Sequence, residues 1–226
     1  MSEGRVERQL AAILAVDVAG YSRLMGEDEE GTLAALRAVR RELGDPKIAE
    51  HRGRIVKTTG DGLLVEFASV VDAVRCAVEL QREMIDRNAA TPAERRIEFR
   101  MGINIGDIII EDGDIFGDGV NIAARLEALA EPGGICLSAA AHEQVRDRID
   151  IAFDDLGEQH VKNITRPVRT YAVALGAPSR AAPSVAAPLP LPDTPSLAVL
   201  PFQNRPATPS KSISTLTVIH LLLQSH

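Results

Sequence analysis

The sequence predicts an α+β sandwich, a mostly antiparallel sheet with helices packed on one face, and three observations carry that expectation. From residue 8 to about 175, apolar runs of strand length alternate with stretches of helical periodicity and no long break intervenes. Residues 53–67 read as a hairpin, GRIVKTT then GLLVEF, closed by Gly60-Asp61-Gly62, because glycine beside aspartate permits the positive φ of a tight turn. Hairpins of this kind, set between helical crossings, point to a mainly antiparallel sheet.

The elements follow in order. Leu10 to Val16 is a near-continuous apolar strand, so Asp17 emerges where the strand stops and a helix begins. Leu33, Leu36, Val39 and Leu43 are spaced for one helix face, with Arg37, Arg40 and Arg41 on the other. After the hairpin, Ser69 is placed to cap a helix with Val70, Val74, Ala77, Val78 and Met84 in register, ending near Asn88. The run IEFRMGINIGDIII predicts a strand and its return across Gly106-Asp107. Residues 121–130 read as a helix, 134–137 as a short strand and 138–146 as a capped helix, and IAFDDL and VRTYAVAL close the domain as strands. Beyond Leu175 the composition turns to alanine and proline without periodicity, which predicts a linker over 176–195. SLAVLPF then starts what reads as a second domain, but 196–226 is too short to build a core and is not expected to fold independently.

Composition narrows the function. A chain of 226 residues, 45% hydrophobic and 25% charged, has the make-up of a water-soluble globular protein. Its net charge of −7 argues against nucleic acid as a partner, so any phosphate-bearing ligand is expected to be small and metal-neutralised. The two cysteines, Cys76 and Cys136, have neither metal-ligand spacing nor a disulfide framework around them, consistent with core positions in a reducing cytoplasm. The charged N-terminus reaches the first strand without room for a signal peptide, and no apolar run approaches membrane-spanning length.

Two aspartates stand out, Asp17 in AILAVDVAGYS and Asp61 in RIVKTTGDGLLVEF. Each alone reads as an ordinary turn aspartate. Together, on adjacent strand ends, they form an oxygen-only ligand pair suited to Mg²⁺ or Mn²⁺, ions that keep several waters and take further ligands from substrate phosphates. The turn running through Gly20, Tyr21 and Ser22 leads into a helix start, where backbone N–H groups can cradle phosphates. Asn121 and Arg125 are four apart on one helix and so share a face, which by itself is consistent with a solvated polar surface.

With these residues in place, five blocks in order resemble the catalytic domain of the class III nucleotidyl cyclases: AVDVAGYS, VKTTGDGLLVEF, MGINIGDI, GDIFGDGVNIAARL and VKNITRPVRTYAV. The resemblance spans residues 8–175. It implies a ferredoxin-like, palm-type fold active as a head-to-tail homodimer, with ATP as substrate and two Mg²⁺ or Mn²⁺ ions per site. The residues it assigns are Asp17 and Asp61 for the metals, Lys57 and Asp114 for adenine, Asn121 and Arg125 for the transition state, and Lys162 for phosphates. It further implies that the metal aspartates and the base, ribose and transition-state residues of one site come from different subunits. Ala15 stands where the first block usually carries a larger residue, a difference of packing. The competing readings are a silent cyclase-like module, which the intact set of seven disfavours, and a guanylate cyclase, which would want an acidic residue at 57 and a small or thiol residue at 114. A diguanylate cyclase is disfavoured because its GG-acidic-acidic-Phe signature is absent, and a P-loop enzyme because no GxxxxGK stretch occurs.

Overall fold

The computed structural model describes residues 7–111, 113–160, 164 and 166–175. The sheet is organised around β1 (Glu7–Val18), whose apolar run demands cover on both faces. β1 pairs antiparallel with β4 (Phe99–Glu111) over its whole length, from Glu7 opposite Ile110 to Val18 opposite Phe99. On its other side lies β3 (Gly62–Phe67), the second arm of the hairpin begun by β2 (Arg54–Thr59). β5 (Asp114–Phe116) folds back on the far end of β4. Beyond the near end of β4 come β6 (Ile135–Ser138), β8 (Val168–Val173) and β7 (Phe153–Gln159), giving the order β2-β3-β1-β4-β6-β8-β7. Only the β4–β6 pairing is parallel among the described strands.

Strand alternation splits β1 into two faces. Ala12, Leu14 and Val16 join the larger core with Met101 and Ile103 of β4. That core is filled by α1 (Tyr21–Glu27), α2 (Glu29–Val39), a π-helical turn (Arg40–Gly44), α3 (Asp45–Glu50), α4 (Val70–Asn88) and α6 (Ala139–Val145). α4 forms because Ser69 accepts a hydrogen bond from Asp72 N–H at 3.4 Å and because Val70, Ala73, Val74, Ala77, Val78, Leu80 and Met84 recur at helical spacing and are all buried. Each larger side chain among them contributes roughly 1.5–3 kcal/mol of burial. Ser138 caps α6 in the same way, at 3.2 Å from Ala141 N–H, and Asp28 caps α2 at 2.9 Å from Gly31 N–H. No helix among the described residues is long and apolar enough to cross a membrane.

Two expectations are corrected. Helices cover both faces: α5 (Asp118–Leu129) lies on the side opposite α4, against Ala11, Ile13 and Ala15. It comes close because β4 presents glycine there, and a Cβ on Gly102 would fall 2.2 Å from both the Ala123 carbonyl and the Glu127 amide of α5. The chain also does not turn back at Gly106-Asp107, since the β1–β4 ladder runs straight through both. Gly106 serves close approach, a Cβ on it falling 3.1 Å from Gly119 Cα, and the return comes at the Glu111–Asp114 tip, where Gly113 has φ +83°.

Candidate active site

Asp17 ends the buried run of β1 on the face that α5 covers, and the register places Arg100 of β4 directly opposite it. The Arg100 guanidinium donates to Asp17 Oδ2 at 2.5 Å and lies 3.3 Å from Glu127 Oε1, so one cation links strand β1 to helix α5. Asp61 arrives from the β2–β3 turn. Val16 pairs with Leu63, and a Cβ on Gly62 would stand 3.6 Å from the Val16 carbonyl, which brings the Gly60-Asp61 turn to the end of β1. Gly60 has φ +60°, the conformation the turn requires.

The electrostatics report the same convergence. Burial raises the Asp61 carboxyl above its ordinary value, and the neighbouring Asp17 charge and hydrogen bond raise it further. Glu127 is pushed up to about 7, first by burial and then by Asp17, against the opposing pull of Arg100. Arg100 is held still more firmly protonated by its hydrogen bond to Asp17. Three carboxylates and one guanidinium therefore share this end of the sheet, with negative charge in excess. A divalent cation fits that donor set, because the Asp17–Asp61 repulsion is what it would relieve. Among the described residues no group of three or more His, Cys, Asp or Glu side chains is placed to hold a metal ion by itself.

A second cluster forms where the β4–β5 tip meets β2. A bulge between Ile55 and Lys57 shifts the β2–β3 register, and Lys57 Nζ donates to Asp114 Oδ2 at 3.1 Å. Arg54 Nη1 donates to the Gly113 carbonyl at 2.9 Å and ties the tip down beside them. The hydrogen bond from Lys57 holds the Asp114 carboxyl below its usual range, and both side chains remain partly open to solvent.

Asn121 and Arg125 sit on α5 one turn apart, on the side turned away from the sheet, while Ala123, Leu126 and Ala130 are buried against it. Among the described residues neither side chain has a hydrogen-bond or ion-pair partner, and Asp17 pairs instead with Arg100. At the start of α1, Gly20 adopts φ +68°; Tyr21 packs inward on the core and Ser22 is exposed. The Ala19 N–H donates to the Glu98 carbonyl at 2.8 Å, so the N–H groups this turn can offer an anion begin after it. Lys162 lies outside the described residues.

Arg100 and Glu127 escaped the sequence reading. Arg100 could have been found by laying FRMGINIG antiparallel against AILAVD, which sets it across from Asp17. Glu127 lies two residues past Arg125, and that spacing turns it toward the sheet.

Residues 6–174 match the adenylate and guanylate cyclase catalytic domain as a family. A protein of Rhizobium meliloti (strain 1021), provisionally named adenylate cyclase 3, is 49% identical over 213 residues, covering 93% of this chain and 36% of its own length. The chain spans about a third of the length of that relative and, at 37%, of an adenylate cyclase from Streptomyces coelicolor. Among solved structures, an adenylate/guanylate cyclase/hydrolase from Silicibacter pomeroyi is 56% identical with a TM-score of 0.72, covering 75% of this chain and 98% of its own. The adenylyl cyclase CyaB of P. aeruginosa is 26% identical with a TM-score of 0.68, covering 78% and 100%.

Proposed function

Because the chain belongs to the adenylate and guanylate cyclase catalytic-domain family, we propose that it converts ATP to 3′,5′-cyclic AMP and pyrophosphate as a homodimer with composite sites. Family likeness leaves the base open, and the observation that carries the choice of adenine is the Lys57–Asp114 pair. Adenine offers an exocyclic amine and a ring-nitrogen acceptor side by side. A carboxylate and an ammonium 3.1 Å apart, both partly open, match that pattern. Guanine presents the reverse and would meet an acceptor at Asp114 and a donor where its own N–H points.

The remaining residues fit an in-line attack of the ribose 3′-hydroxyl on the α-phosphate. Asp17 and Asp61 would hold the Mg²⁺ or Mn²⁺ ions, which when bound lower the hydroxyl's pKa and neutralise the leaving pyrophosphate. Asn121 would orient the ribose and Arg125 meet charge growing on the α-phosphate. The turn through Gly20, Tyr21 and Ser22, with Lys162, would receive the outer phosphates. Asn121 and Arg125 face away from their own sheet while Asp17 and Asp61 lie at its strand ends. That separation supports the two-subunit site, in which the α5 of one chain faces the aspartates of its partner. Residues 8–175 would be the catalytic unit, 176–195 a linker and 196–226 the opening of a second domain.

The test is turnover of ATP and of GTP with Mg²⁺ or Mn²⁺, identifying the cyclic product, beside a variant with both aspartates changed to alanine. Cyclic AMP well above that control is expected. Preference for GTP would make the protein a guanylate cyclase, and no product from either would leave a silent cyclase-like module.

A further inference from the structure

We propose that Asn104, a buried residue of β4 outside the substrate-contacting set, is a positioning residue that sets the register of α5 and thereby of Asn121 and Arg125. Its side chain is 3% exposed and donates from Nδ2 to the Gly119 carbonyl at 3.0 Å. Gly119 opens α5 two residues before Asn121. The inference rests on the reading of Asn121 and Arg125 as ribose and transition-state residues.

The physical case comes from what else holds α5 to the sheet. The closest approaches are at glycine: Gly102 lies under the Ala123–Glu127 stretch, and Gly106 under Gly119, with only small side chains and Ile13 beside them. A Cβ on Gly119 would fall 3.3 Å from both Gly106 Cα and Ile13 Cδ1. Glycine and alanine surfaces fix how closely a helix lies on a strand, but they offer shallower ridges and grooves to resist sliding along it. A directional hydrogen bond supplies that resistance. Asn104 is the only buried polar side chain on this face that hydrogen-bonds α5 among the described residues, standing opposite Ile13 of the apolar centre. A buried amide costs free energy unless it is hydrogen-bonded, and this one is bonded to α5. Through Arg100, the other end of α5 is tied by Glu127 to Asp17, and the Asn104 bond fixes the end that bears Asn121. A displacement of about 1 Å in transition-state residues is enough to cost on the order of 100-fold in rate.

Asn104→Asp keeps the shape and turns a donor into an acceptor facing a carbonyl, and Asn104→Ala removes the hydrogen bond without adding charge or bulk, so at least one is expected to fold. Both should dimerise, melt as a single transition and lose roughly 10- to 100-fold in kcat with little change in the KM for ATP. The discriminating readout is complementation. An Asn104 variant retains an intact Asp17 half but a displaced α5, so mixing it with Asp17→Ala subunits should restore activity, and mixing it with Arg125→Ala subunits should not. Rescue by both partners, or by neither while Asp17→Ala and Arg125→Ala rescue one another, would show a general structural defect and overturn the inference. If those two controls exchange subunits and stay dead together, the composite reading falls instead. The homodimer's kcat then decides, since wild-type turnover in both Asn104 variants overturns the positioning role.

Discussion

The two faces of the sheet are built on opposite plans. The face under α1–α4 and α6 is a broad apolar core whose buried polar group Gln81 is satisfied by the carbonyls of Phe99 at 2.9 Å and Gly134 at 3.0 Å. The face under α5 has a small apolar centre of Ala11, Ile13, Ala15, Ile108, Ile115 and Ala123, ringed by Asp17, Arg100, Glu127, Asn104 and Glu66. One face supplies the burial that keeps the sheet folded. The other buries less apolar surface and carries the charged groups of the candidate site, Asp17, Arg100 and Glu127 among them.

If this division is right, perturbations should separate by face. Asp17→Ala or Asp61→Ala should abolish cyclase activity, by 1,000-fold or more as an order of magnitude for a lost electrostatic centre, while the thermal melt stays near wild type. A large fall in Tm would place these residues among the structural ones. Val74→Ala, under α4, should do the converse and cost about 2 kcal/mol in denaturant unfolding with kcat preserved in the folded dimer. Gly102→Ala tests where the two plans meet. Its Cβ cannot fit without lifting α5, so stability should drop by about 3 kcal/mol and activity should go with it. Retention of either would mean α5 is free to move away from β4.

Two smaller effects sharpen the comparison. Lys57→Glu with Asp114→Cys should erode the preference for ATP over GTP by a few kcal/mol at most, read as the ratio of kcat/KM values; an unchanged ratio would place base reading elsewhere. On the α5 face the pH response should come from Glu127. Glu127 is raised from 4.5 to about 7, so the stability it contributes is full below its unfolded pKa and is lost as pH rises through about 7. Metal-free protein should therefore lose about 1 kcal/mol between roughly pH 6 and pH 8 from this group. Glu127→Gln should flatten that part of the profile, and an unaltered slope in the variant would assign it to other groups.

Much of the site was legible because its signals are local. The hairpin around Asp61 and the caps at Ser69 and Ser138 depend on residues within a few positions of one another, and the structure places them as read. Gly106 shows the limit. Glycine answers two different needs, a positive φ or a close approach, and only the presence of Gly119 across the interface distinguishes them. Arg100 and Glu127 were invisible for a related reason, since each acquires its meaning from a residue far away in the chain.

Sequence by itself determined most of the strands and helices, the candidate residues and their resemblance to the cyclases, because periodicity, capping and turn chemistry act over short spans of chain. Tertiary structure alone decided that α5 lies opposite the other helices, that β4 runs on through Gly106, and that Arg100 bridges Asp17 to Glu127. Those outcomes depend on which strand pairs with which and on where a missing Cβ lets two backbones touch, and no local window of residues contains both partners of such a contact.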